Sequence, residues 1–371
     1  MPSLFDPGRI GSLELKNRLV RSATGAGMSL PDGSMTPELV EIYRQLADGG
    51  VGLIITGHAC VAPNGKASAG MMGLWKDGLV PGLSKMVDVV HDHGSQVAAQ
   101  INHAGRQTTP ETTGETPVAP SPIPQKGSDI VPRALTEGEI RDLLHAYAQA
   151  ARRAKEAGFD GVQLHCAHGY LMSEFISPYT NHRTDDWGGS PKKRHRFVLE
   201  AYRKVREAVG SDYPVFIKQN GADFIDGGLE LEESVMLAEA LDAEGIDAIE
   251  VSCGMTEVAA KIARINIRTP KKEAYLLPLA EEFRKHLSCP IILVGGMRSR
   301  ATMQRILDGG KVDFISICRP LIREPDLPKK LKKGQSAATC ASCNACFTHR
   351  PGPLRCMYEE RFGKPPREWK G

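Results

Sequence analysis

Several things are scarce in this 371-residue chain, and each scarcity excludes something. No apolar run approaches the length of a membrane span, and the opening MPSLFDPGRIGSLELKN lacks the apolar core of a signal peptide. A cytoplasmic protein with no membrane contact is expected. Charge of one sign is also scarce: Lys and Arg total 47 against 44 Asp and Glu, a net of +3. That is too small a surplus to argue for nucleic acid. There is no internal repeat and no low-complexity tract. No GxGxxG follows the first apolar strand, which removes the main signature of a dinucleotide-binding doubly wound sheet.

What is present is ordinary soluble composition, 41% hydrophobic and 25% charged with 38 glycines, long enough for one large α/β domain and an appendage. Short apolar strands are expected at Arg18–Arg21, Gly52–Ile55, Gln96–Ile101, Gly161–Leu164, Val215–Lys218, Ala248–Val251, Ile291–Val294 and Phe314–Ile317. Helices with apolar 3.6-residue spacing lie between and after them: Thr36–Ala47, Val80–His93, Thr136–Ala157, Pro191–Val209, Leu231–Glu244, Leu277–Leu287, Ser299–Leu307 and Glu324–Leu331. Gly or Asp often precedes the next strand, as in DGGVGLIIT and AEGIDAIEV, the expected chemistry of helix-to-strand loops. Eight such units predict an α/β fold of the (β/α)8 TIM-barrel class. The segment LFDPGRIGSLELKN reads as an N-terminal hairpin plugging the barrel bottom. Gly105–Arg133, rich in Pro, Thr, Ser and Gly, is a long insertion after the third strand. The expected organisation is a barrel over 1–335 and a cysteine-bearing C-terminal extension over 336–371.

The run LHCAHGYLMSEFISPYTNHRTDDWGGS, Leu164 to Ser190, carries the most chemistry. It places His165, His168 and Tyr170 directly after the fourth strand, at the end of a barrel where catalytic groups sit. Two imidazoles three residues apart can offer two N–H donors to one oxygen, with a phenol nearby as a proton source. Gly295 and Gly296 after the seventh strand let backbone amides approach a phosphate, and Arg319 follows the eighth strand at the usual phosphate-binding mouth. Of nine cysteines, Cys340, Cys343, Cys346 and Cys356 crowd one end, which suggests soft-metal ligands rather than disulfides. The other five, in or beside apolar runs, read as buried thiols.

In order along the chain, NRLVRSAT, AAQINHAGRQ, HCAHGYLMSEFISPYTNHRTDDWGGS, LVGGM and ICRPLI resemble the motifs of the Old Yellow Enzyme family of flavin-dependent ene-reductases. The cysteine-rich tail makes the likeness closer to the branch with 2,4-dienoyl-CoA reductase and trimethylamine dehydrogenase. The resemblance implies FMN across the top of the barrel and NAD(P)H as reductant, bound over the flavin. It implies that His165 and His168 grip the oxygen that activates a C=C bond, and that Tyr170 protonates the α-carbon. It places Lys218 near N1 and O2 of the flavin, Gln100 on the pyrimidine edge, and Ala23, Thr24 and the backbone near His58 against the ring. Arg183, Asp186 and Trp187 are expected to shape the entrance.

Two features depart from the pattern. Gly25 stands where many relatives place Thr or Cys against the flavin O4 edge, so that hydrogen bond is expected to be lost and the pocket wider there; compensation by Thr24 is the alternative. The tail reads C-x2-C-x2-C and then Cys356, not the C-x2-C-x3-C of relatives that carry a [4Fe–4S] cluster. A [4Fe–4S] cluster, zinc or a degenerate remnant are the readings for those four residues. The longer relatives carry further flavin and nucleotide domains, which are not expected here. The expected activity is ping-pong reduction of enones, enoates or enoyl thioesters. The rival readings are an FMN/Fe–S dehydrogenase oxidising C–N or C–H bonds and passing electrons to a separate carrier, and a non-catalytic flavin- or ligand-binding barrel. A homo-oligomer is compatible with either enzyme.

Overall fold

The computed structural model describes residues 2–347 and 352–363. Eight parallel strands form a closed ring: β1 (Leu19–Arg21), β2 (Leu53–Ile55), β3 (Gln96–Asn102), β4 (Gly161–Cys166), β5 (Val215–Asn220), β6 (Ile249–Ser252), β7 (Ile291–Leu293) and β8 (Phe314–Ile317). Closure runs through β8 against β1, with Ile315 opposite Leu19, and through β3 against β4, with Ala98 opposite Gly161. The larger helices follow as α1 (Pro37–Asp48), α2 (Val80–Asp92), α3 (Glu137–Glu156), α4 (Pro191–Val209), α5 (Leu231–Ala243), α6 (Leu277–His286), α7 (Arg300–Asp308) and α8 (Leu327–Lys332). Each starts where its sequence permits. Thr36 caps α1 by accepting from Leu39 N, and Thr136 and Glu139 close a capping box on α3.

The strands are buried on both faces and obey a period of two. Outward residues such as Val162, Leu164, Ile217, Ile249 and Val251 join the main core under the helices. Inward residues form layers. The bottom layer is apolar: Val20, Ala98, Phe216, Ile292 and Phe314 pack with Ile10, Leu13 and Leu15. Those last three come from an antiparallel hairpin, Gly8–Ile10 with Leu13–Leu15, so the N-terminal segment does plug the barrel. Higher up, the same phase delivers Gln100, Gln163, Lys218, Glu250 and Ser316, all buried.

Three local differences from the pattern have physical causes. The expected helix Glu324–Leu331 divides into Arg319–Arg323 and α8, because Pro325 bars Glu324 from helical geometry and Glu324 takes φ −133°. The insertion contains a helical turn, Pro110–Thr113, and a short parallel pair, Val118–Ala119 with Arg133–Ala134. After β2, Ala59–Cys60 pairs with the end of β3, extending that wall above the ring. The tail returns onto the barrel: Ala338 N donates to Arg298 O and Asn266 N donates to Ser342 O.

Candidate active site

One cavity of about 830 Å³ opens at the C-terminal ends of the strands. Its wall includes Ala23, Thr24 and Gly25 after β1, His58 after β2, His168 and Tyr170 after β4, Lys218 on β5, Gly295 and Gly296 after β7, and Arg319 after β8. Most residues singled out in the sequence therefore meet here. Two sit behind the wall. Gln100 is 2% exposed and donates from Nε2 to Gln163 Oε1 at 2.7 Å. His165 is 3% exposed, its ring enclosed by those of His58, His168 and Tyr170 at 6.1, 5.3 and 5.0 Å between centroids, and its Nδ1 has no partner among the described residues.

The loop after β4 is held rigidly. His168 adopts φ +65°, a left-handed conformation that non-glycine residues seldom take. It is pinned there: its N donates to Asn220 Oδ1 at 3.3 Å, its O accepts from Gln107 Nε2 at 2.7 Å, and its Nε2 lies 2.7 Å from Ser252 Oγ. Tyr170 then leads into the short helix Leu171–Ile176, anchored on α4 by Phe175 stacked on Phe197 at 4.1 Å. Within that helix Glu174 is wholly buried, accepts from Arg106 N at 2.8 Å, and leaves Oε2 unpartnered among the described residues. Burial pushes its carboxyl up to about 8 against the pull of Arg106.

Electrostatics set the protonation states. Burial, with Lys218 and His58 nearby, holds the His168 imidazole down at about 3. Burial, with His168, His58 and Lys218 beside it, holds His165 far below its usual range. Both imidazoles are neutral at neutral pH, each with one N–H to donate. Burial pushes the Tyr170 phenol up to about 12, so it keeps its proton.

Below them lies a polar network that the sequence pattern did not single out. Lys218 Nζ donates to Ser22 Oγ at 2.8 Å and sits 3.3 Å from Glu250. Glu250 also accepts from Ser22 Oγ (2.7 Å), Ser316 Oγ (2.8 Å) and Gln163 Nε2 (2.9 Å). Burial alone pushes its carboxyl up; Lys218 and the three hydrogen bonds more than offset that and keep it ionised. Lys218 is thus a paired cation rather than a bare one. Its signal in the sequence was an acidic residue in the inward phase of AIEVS.

At the other end of the cavity Gly295 and Gly296 take φ +124° and +75°. Added Cβ atoms would sit 3.0 Å from Leu276 and Tyr275, so glycine is needed for both reasons. Their backbone amides bond no other protein group among the described residues. Arg319 is 6% exposed, with Nη1 held by Arg264 O and Asn344 Oδ1. Two free amides beside a buried arginine suit a phosphate. Thr24 does not substitute at the Gly25 position: its hydroxyl donates to Ser22 O and lies 3.2 Å from Cys318 Sγ.

All four tail cysteines line a second, small cavity with Arg319 and Tyr358, and Cys346 also borders the main one. All four are free thiols. Among the described residues no group of three or more His, Cys, Asp or Glu is drawn together closely enough to hold a metal.

A closed parallel barrel with free glycine amides after β7, a buried arginine after β8 and neutral donors after β4 has the parts of a flavin-binding oxidoreductase barrel. The chain belongs to the NADH:flavin oxidoreductase / NADH oxidase family, whose pattern matches residues 3–337, and its cofactor is FMN. It is 40% identical over 349 residues to an NADH oxidase of Thermoanaerobacter brockii, covering 92% of this chain and 53% of that protein. It superposes on 2-naphthoyl-CoA reductase in complex with 2-naphthoyl-CoA with a TM-score of 0.89 and 29% identity, covering 97% of this chain and 57% of that one. An old yellow enzyme homologue from Zymomonas mobilis gives 0.79 and 31%, covering 94% and 98%. The chain spans about half the length of the first curated relatives it matches.

Proposed function

We propose that this barrel reduces C=C bonds activated by an adjacent carbonyl, with a reduced nicotinamide as electron source and the two substrates taking turns in one cavity. The observation that carries the reading is the arrangement at the cavity wall: the neutral His168 imidazole and the protonated Tyr170 phenol line one side, the neutral His165 imidazole packs behind them, and two free glycine amides with Arg319 line the cavity elsewhere, as a phosphate would need. Bound FMN would supply hydride acceptance and donation. The glycine amides and Arg319 would hold its phosphate, and Lys218, fixed by Glu250, would lie by its ring.

The rest belongs to the chain. As hydride reaches the β-carbon, negative charge gathers on the carbonyl oxygen. An N–H donor already aimed there lowers the barrier without reorganisation. His168, fixed by Ser252 and Asn220, is suited to that role at the cavity wall, with His165 behind it. Tyr170 then gives its proton to the α-carbon; burial keeps it protonated until carbanion character develops. The nicotinamide and the alkene share a small-molecule site that needs no separate dinucleotide fold. Enones, enoates and enoyl thioesters all present the required oxygen, and the likeness to 2-naphthoyl-CoA reductase favours thioesters.

Anaerobic addition of NADH or NADPH to purified protein should bleach the flavin bands, and an enone or enoyl thioester should restore them. Bleaching with no return on any such acceptor overturns the alkene-reductase reading.

A second reading rests on Cys346, which borders both cavities. Four thiols of the right softness for iron–sulfur or zinc line the small cavity. In that reading a tail centre would hand electrons to a separate carrier. Iron and acid-labile sulfide in pure protein favour it; their absence leaves the tail as a structural brace.

A further inference from the structure

A second imidazole faces the cavity beside that of His168, and the β4 motif does not supply it. His58 follows β2, and its ring lies 5.0 Å from that of Tyr170 and 6.1 Å from that of His165, centroid to centroid. It lines the cavity wall directly, whereas His165 stands behind. Its Nδ1 is 2.9 Å from Asn102 Nδ2, an amide nitrogen that can only donate. With the Asn102 amide in this orientation, Nδ1 is the acceptor. Burial holds the imidazole down at about 4, so the ring is neutral at neutral pH and its one hydrogen sits on Nε2. Nε2 has no protein partner among the described residues.

The space that Nε2 faces is set by Gly25. A Cβ built on Gly25 would meet His58 Nε2 at 3.4 Å. The glycine backbone is not in the left-handed region, so conformation does not demand glycine there. A hydroxyl or thiol one bond beyond that Cβ would compete with the imidazole for the same volume. Gly57 completes the arrangement. A Cβ there would lie 2.8 Å from Thr24 O, so its absence lets the loop after β2 close on the loop after β1.

We propose that His58 is a residue that tunes the cofactor of this site. With its tautomer fixed by Asn102, it donates Nε2–H to an acceptor on the ring system bound against Ala23–Gly25, and so favours the reduced form of the cofactor. Gly25 keeps that path open. The proposal rests on the FMN assignment and goes beyond it, because it places the tuning donor on the β2 loop rather than at position 25.

The test is the midpoint potential of FMN-loaded protein, measured anaerobically against reference dyes, for wild type, His58→Phe and His58→Gln. Phe keeps the ring contact with Tyr170 and loses the donor; Gln keeps a donor. His58→Phe should bind FMN one to one while the reduced form becomes about tenfold less favoured, a drop of about 30 mV for a two-electron couple. His58→Gln should recover most of it. In 15N-histidine spectra the neutral Nε2–H tautomer should be present at pH 7 and lost in Asn102→Leu. A His58→Phe potential within twofold of wild type in equilibrium terms, or an equal loss in His58→Gln, overturns the proposal. Wild-type protein that takes up no FMN instead overturns the cofactor assignment on which it rests.

Discussion

At the scale of the residue, neutrality matters more than charge. In the proposed reaction the imidazoles at 165 and 168 serve because burial keeps them uncharged, and Tyr170 because burial keeps its proton. Removing both donors in a His165→Ala, His168→Ala double variant should lower the rate of alkene reduction by on the order of 10² to 10³. Flavin reduction by nicotinamide should suffer less, and stopped-flow half-reactions separate the two. Tyr170→Phe should slow product formation roughly 10²-fold or more, with FMN binding intact. Glu174 gives a pH prediction. Its carboxyl is raised from 4.5 to about 8 in the fold, so the unfolded chain is the better acid. Between those values the folded state holds a proton that the unfolded state has lost, so this group lowers stability as pH rises through that window. Denaturant midpoints should show that decline, and Glu174→Gln should flatten it. His165 and His168 were legible because a motif announces them. The Lys218–Glu250 pair and the reach of His58 over Gly25 were not, since they join residues far apart in sequence across the barrel mouth.

At the scale of the element, period and punctuation carried the information. All eight strands fall on short apolar runs, several of them just after a Gly or Asp turn, and β-strand phase decides which side chains enter the barrel. What periodicity could not show was the splitting of the last helix at Pro325, or the short strands that extend the wall after β2. Those depend on proline sterics and on edge hydrogen bonds that only tertiary contact supplies. The short helix after Tyr170 gives a test of its own. Phe175 is fully buried and stacked on Phe197. Phe175→Ala should cost about 3 to 5 kcal/mol in unfolding free energy. It should also loosen the His168–Tyr170 loop, so that kcat falls more than FMN affinity does.

At the scale of the whole molecule, the barrel divides its labour by height. An apolar floor, sealed by the hairpin, carries stability; a polar layer holds Lys218 and Glu250; the rim carries the chemistry. The tail returns to the same rim and places Cys346 against the main cavity. Among the described residues the tail cysteines are not drawn into a metal-binding group, and elemental analysis tests the second reading: about four irons per chain supports a cluster, one zinc a zinc-held tail, and neither leaves the tail a brace of unligated thiols. The central claim, that neutral donors at the rim make this barrel a reductase of activated alkenes, is tested most directly by an anaerobic spectrum taken through one full cycle. Flavin bands should bleach with NADH or NADPH and return stoichiometrically on adding an enone or enoyl thioester, with the return slowed in the double histidine variant. Flavin bands that bleach and return at the same rate in that variant would contradict it.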